Sequence, residues 1–257
     1  MCRCRSRQAG FSLVELITVI VVLALVATIG TGFIVSATDS YRQTQARAAL
    51  VNTARQALER MTRQIRGAMP YSVRITNDGD CVEFMPVAGG GIYREPVPDA
   101  ANGAPPHTAI QTAPHSVDFG TADYLSIGAM DSGELYGGSP VSLAPVNSRT
   151  TTEVTFPSRT WQRNSIGRRF FLLNQPQAFC LFGGQLRFYP AQDRTAANVD
   201  PGSDFDLLAR NAQASGSPFV LSAASDSRNV LLQMNVAFSE GGETMIFEQE
   251  VLIRNVP

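Results

Sequence analysis

The sequence predicts an α+β protein in which one long amino-terminal helix, transmembrane in its first half and amphipathic in its second, packs on a β-rich head. Three observations carry that expectation: a charge-free run of 23 residues from Leu16 to Thr38, an apolar stripe at helical spacing beyond it, and a change at Pro70 to short strand-like runs separated by Gly, Pro, Asn and Asp. With 257 residues, 44% hydrophobic and 17% charged, the chain is too apolar to be disordered and long enough for one sizeable core.

The apolar run is rich in Val, Leu and Ile, and roughly 20 such residues let a helix cross the hydrocarbon of a bilayer. Arg3, Arg5 and Arg7 precede it without a compensating acid and should stay cytoplasmic, leaving the head outside. Arg42 and Arg47 follow the run, so the charge bias is modest. An ordinary secretory signal has an apolar region of about 7–15 residues before its cleavage site. This segment is longer, and it opens on an acid, Glu15. An ionisable group at that depth costs several kcal/mol unless partnered. Two readings stay open: a carboxylate solvated at the cytoplasmic interface, or one that is partnered.

The string Gly10-Phe11-Ser12-Leu13-Val14-Glu15-Leu16-Ile17, behind a short basic leader and ahead of an apolar helix, closely resembles the class III signal of type IV pilins and pseudopilins. That resemblance implies cleavage after Gly10 by a membrane prepilin peptidase and methylation of the new amino terminus at Phe11. Glycine suits a bond that must lie extended in a protease cleft. The resemblance also gives Glu15 a role in assembly and register, its carboxylate pairing in the membrane with the free amine of a neighbouring subunit's Phe11. A low dielectric strengthens such a pair. Many major pilins carry a proline partway along this helix, whereas this chain reads Gly30-Thr31-Gly32.

Past Thr38, Leu50, Ala54, Ala57, Met61, Ile65 and Ala68 recur every three or four residues, an apolar stripe down one helical face. The helix should end near Met69, because Pro70 disfavours helix for its predecessor. From Ser12 to Met69 it would run roughly 87 Å at 1.5 Å per residue, too long for one small domain. The expected organisation is a cleaved leader over 1–10, a transmembrane helix over 11–38, its amphipathic continuation over 39–69 and an extracytoplasmic head over 70–257.

In the head, strands are predicted at Ser72–Thr76, Val82–Val87, Glu153–Phe156, Arg169–Leu173, Ala178–Phe182 and Gln185–Tyr189, the last two forming a hairpin about Gly183-Gly184. A second hairpin joins Val230–Ser239 to Thr244–Arg254 about Gly241-Gly242. Residues 88–116 read as a long Gly-, Ala- and Pro-rich surface loop, with Gly89-Gly90-Gly91 as a turn. The strings Pro70-Tyr71-Ser72-Val73-Arg74, Cys81-Val82-Glu83-Phe84, Gly89–Arg94, Arg169-Phe170-Phe171 and Arg254–Pro257 are similar to minor pilins of the mannose-sensitive haemagglutinin (MSHA) pilus. That likeness implies a low-copy subunit that primes or caps a filament. Its partners would be a prepilin peptidase, other minor and major pilins, and an inner-membrane assembly platform. The J-type minor pseudopilin of type II secretion shares the same layout.

The net charge of -1 hides an asymmetry: the leader is +3, residues 39–69 are +4, and the chain from residue 70 is -7. An acidic head argues against nucleic acid as a partner; neutralisation between stalk and head, within or between subunits, is the simpler use. Cys2 and Cys4 would leave with the leader. Cys81 and Cys180 remain, an even pair on two predicted strands in a compartment that permits disulfides; the alternative is two buried free thiols. Cysteine spacing does not fit a zinc site, and neither a metal nor a cofactor is expected. His107 and His115 fall in the predicted loop and should be exposed. Asp200, Asp204 and Asp206 fit turn chemistry as well as they fit calcium. Trp161, Phe170 and Phe171 read as core or subunit contacts. No catalytic acid, base or nucleophile constellation is visible, so an enzyme is not expected. A competing reading, a binding protein released by signal peptidase after Val35-Ser36-Ala37, would leave Thr38 as first residue.

Overall fold

A computed structural model describes residues 11–115, 122–223 and 230–253. One helix, α1 (Leu13–Arg66), runs through 54 residues, about 81 Å at 1.5 Å per residue. It ends three residues before the expected Met69, and the proline explains where. Ala68 bridges to Pro86, Met69 is extended, and Pro70 begins a 3-10 turn that closes at Ser72. The Ser72 hydroxyl donates to the Met69 carbonyl and accepts from the Met85 amide, so the chain's exit from the helix is pinned to the first strands.

The chain divides into two compact units, one ending at Ala49 and one beginning at Leu50. In the second unit the six stripe residues Leu50, Ala54, Ala57, Met61, Ile65 and Ala68 are all buried, together with Leu58. They share one core with Val82, Phe84, Phe179 and Phe188, and with Leu232, Met234, Val236 and Phe238. The helical half of the head therefore owes its stability to tertiary burial, since each large apolar side chain so removed from water contributes roughly 1.5–3 kcal/mol.

Fifteen strands make four antiparallel sheets among the described residues. The first orders β1 (Arg74–Thr76), β2 (Cys81–Phe84), β10 (Gln177–Phe182), β11 (Gln185–Tyr189) and β12 (Asp206–Arg210). The second is β13 (Ala212–Ala223), β14 (Val230–Glu240) and β15 (Glu243–Ile253). The third orders β3 (Val87–Ile92), β9 (Arg169–Leu173), β5 (Tyr124–Ser126) and β6 (Leu143–Pro145). The fourth is β4 (His107–Gln111), β8 (Glu153–Arg159) and β7 (Ser148–Arg149). Both expected hairpins are present: Phe182 pairs with Gln185 and Glu240 with Glu243, each across two glycines of positive φ. Such two-residue turns match the strand twist and favour glycine at both positions.

Several sequence expectations for the head need correction. The expected loop over 88–116 contains strands β3 and β4, and Gly89-Gly90-Gly91 is strand rather than turn, paired with Leu172, Phe171 and Phe170. The reason is close approach. A Cβ on Gly90 would meet the Phe170 carbonyl oxygen at 2.9 Å, and one on Gly91 the Phe170 ring at 3.0 Å, so glycine here lets two backbones and an aromatic ring close together. The expected strand Val82–Val87 splits at Met85-Pro86 into β2 and β3, because proline cannot donate to the ladder. His107 and His115 are half-buried rather than exposed. They pack edge-on against Phe156 and Phe170 respectively, and burial depresses the pKa of His107. Trp161 and Phe170 are core residues beside Phe156 and Leu172.

Candidate functional site

The chemistry anticipated from the sequence concentrates where α1 begins. Ser12 is the residue before the helix: its hydroxyl oxygen accepts the Glu15 amide at 3.2 Å, and its carbonyl accepts the Leu16 amide at 3.2 Å. The first turn of a helix leaves backbone N–H groups without partners, and a serine side chain satisfies one of them. Glu15 stands in that first turn, where the positive end of the helix dipole favours a carboxylate. Ser12 was not singled out as a functional residue from the sequence, although the signal was there: Ser followed three residues later by Glu, ahead of an apolar run, marks a helix start.

Phe11 precedes the cap and is 83% exposed. Glu15 is exposed too, and no cation or donor meets its carboxylate among the described residues. One helical turn of rise separates the two positions, so the acid and the residue that would carry the new amine share one end of α1. Gly10 lies outside the described residues.

From Leu13 to Val35 the Val, Leu, Ile and Phe side chains of the helix are exposed. Its first half is long and apolar enough to cross a membrane once. Polar side chains within it are answered locally: the hydroxyls of Thr18, Thr28, Thr31 and Thr38 donate to the carbonyls of Glu15, Leu25, Ala27 and Ile34. These four hydroxyls therefore need no water in an apolar medium. Gly30 and Gly32 meet no other atom within 4 Å at their Cβ positions, so neither is required by a close contact within the chain.

In the head, Cys81 on β2 and Cys180 on β10 are direct cross-strand partners with Cα atoms 4.2 Å apart and sulfurs joined at 2.05 Å. The disulfide is fully buried beside Tyr189 and Val199. Asp200 and Asp206 have ordinary occupations: the Asp200 carboxylate accepts the Gly202 amide in a turn, and Asp206 pairs with Arg60 of α1 at 2.7 Å. Among the described residues no three His, Cys, Asp or Glu side chains gather as a metal site.

Residues 5–31 match the prokaryotic N-terminal methylation motif. The amino terminus is type IV pilin-like. The match covers the leader from Arg5 onward, Gly10, Phe11, Glu15 and the apolar helix as far as Thr31. In pilin-like proteins this motif implies processing by a prepilin peptidase and assembly with other pilins, and the class is structural rather than enzymatic. The chain matches no curated protein and no solved structure, so the head is described by its own geometry alone.

Proposed function

We propose that the chain is a prepilin cut between Gly10 and Phe11, methylated at Phe11 and built into a type IV filament as a minor subunit of an MSHA-type pilus, where it primes or caps the fibre. The observation that carries the proposal is the coincidence of the methylation motif with a single uninterrupted helix whose motif-bearing half is apolar and unburied while its other half is rooted in a β-rich core. Nothing among the described residues covers that apolar half. A lipid bilayer covers it before assembly, and the helices of sister subunits cover it afterwards.

Glu15 then acts in register. Removed from water among apolar helices, its carboxylate needs a counter-charge, and the free amine of a neighbour's Phe11 supplies one at the same depth. Such a pair fixes the axial offset between two subunits, because any other offset leaves an unpaired charge in a medium of low dielectric. The cysteine pair and the acidic head fit an extracytoplasmic, oxidising setting for residues 70–257. The likeness to MSHA minor pilins rests on the head strings of the sequence and supports the minor-subunit assignment.

Mass spectrometry of the mature amino terminus tests the reading. A methylated Phe11 in material sheared with filaments is the expected result. A mature chain beginning at Thr38, or an intact Met1 in assembled material, would overturn it.

A further inference from the structure

We infer that the outward face of the β13–β14–β15 sheet is a docking surface for the arginine face of α1 on a second copy of this chain. The inference rests on the filament reading above and adds to it a named contact between heads.

The three strands of this sheet contain four charged residues, Glu240, Glu243, Glu248 and Glu250, and no basic residue. Their inner face carries Leu232, Met234, Val236, Phe238, Val251 and Ile253, all buried in the core shared with the second half of α1. The opposite face therefore points away from that core. On β15 it presents Ile246, Glu248, Glu250 and Leu252 in strict alternation, with Ile246 60% and Leu252 43% exposed. Two carboxylates are thus flanked by two exposed aliphatic groups. Gln233 of β14 donates to Glu250 at 2.9 Å, which orients that carboxylate without neutralising it. No strand pairs with the outer edge of β15 among the described residues, so an 11-residue edge is left open, a feature natural proteins ordinarily shield.

Charge decides what can cover this surface. A two-fold pairing of β15 with its own copy sets glutamates against glutamates, which disfavours it. The occupant must bring cations, and the same chain displays them. On the outer face of α1, turned away from the core stripe, Arg55, Arg63 and Arg66 are exposed with Glu59 among them, whereas Arg60 is occupied by Asp206 and the Phe188 ring. Arginine also lays its aliphatic stem on apolar groups while its head meets a carboxylate, which suits the Ile246-Glu248-Glu250-Leu252 row. Because the two complementary patches lie on different faces of one head, the contact is heterologous. Such a contact joins two neighbouring copies head to tail without closing them into a symmetric dimer.

The full-length chain tests this in cells that assemble it, by coexpressing a Glu250→Cys copy with an Arg63→Cys copy and oxidising the membranes. A cross-linked dimer is expected, reduced roughly tenfold when Glu248→Arg is added to the first copy and recovered when Arg55→Glu and Arg66→Glu are then added to the second. Retention of the Cys81–Cys180 bond and of protease resistance shows that each variant is folded. Absence of the dimer from folded chains, a dimer indifferent to the charge reversals, or a cross-link to a different pilin in place of a second copy would each overturn the inference. A methylated Phe11 found alongside any of these results leaves the filament reading intact, so the two fail separately.

Discussion

The two halves of α1 are made of the same backbone and are opposite in what completes them. Between Leu50 and Arg66 the apolar residues stand on one stripe and are finished by the chain's own strands. Between Leu13 and Val35 they cover every side of the helix and are exposed. An all-round apolar helix needs a partner on all sides, whereas an amphipathic one needs a single layer. The comparison teaches that stability and assembly are separately encoded: changes in the second half should act on the head, and changes in the first on processing and on entry into a larger structure.

The most severe break in that separation is expected at the leader. Gly10→Glu should abolish maturation and leave full-length precursor in the membrane with a normally folded head, as read by immunoblot and by the missing methyl-Phe11. Next comes Glu15→Val. Cleavage should proceed, while incorporation into sheared filaments falls by roughly two to four orders of magnitude, the scale set by about 3–5 kcal/mol for a charge left without its buried partner. Wild-type incorporation of this variant would remove the register role of the carboxylate.

Two substitutions sharpen the other side of the comparison. The paired change Cys81→Ser with Cys180→Ser should destabilise the head by about 2–5 kcal/mol in chemical denaturation, since the bond closes a loop with a sequence separation of 99 residues. Met61→Ala, at a fully buried stripe position, should cost about 2–5 kcal/mol in the same assay, while Ile29→Ala, 75% exposed in the first half, should leave head unfolding unchanged. Both should be processed at Phe11 like the parent chain.

The smallest expected effect is one of pH. Burial works against the charged form of Glu134, but the hydrogen bonds and charge of Arg163 and the hydroxyl of Ser142 outweigh it and hold its carboxyl below the ordinary 4.5. A lowered folded-state value gives stability that is present above the unfolded value and lost as pH falls through the folded one. Glu134→Gln should therefore flatten the acid limb of head stability, by on the order of 1 kcal/mol, with little change in its alkaline limb. Glu83 works in the opposite sense: burial raises its carboxyl despite Arg74, so its contribution is complete at low pH and declines as pH rises through the raised value.

Much of the helix was legible because its two patterns are long and physically distinct. The stripe from Leu50 to Ala68 and the stop at Pro70 are local facts. The same holds for the hairpins about Gly183-Gly184 and Gly241-Gly242, where turn chemistry and alternation agree. Strand β3 was not legible, because the glycines that read as a turn serve the approach of Phe170 and Phe171, 80 residues away in sequence. Strand β13 was missed for a related reason. Its Ala-Gln-Ala-Ser-Gly-Ser-Pro opening carries no apolar alternation, and its register shifts between Ala214 and Phe219, where Gly216 and Pro218 fall. At the amino terminus Gly10, Phe11 and Glu15 stood out through the resemblance of their string to a class III signal, whereas Ser12 emerged through the amide it caps.

The threonines of the first half have a consequence for how such a helix travels. Because Thr18, Thr28, Thr31 and Thr38 return their protons to their own turn, these four groups ask nothing polar of whatever surrounds the rod. In the filament proposed above it would pass from fatty acyl chains into a crowd of like rods without any of these groups changing hands, and the carboxylate of Glu15 would be the one charge of that segment for its new company to answer.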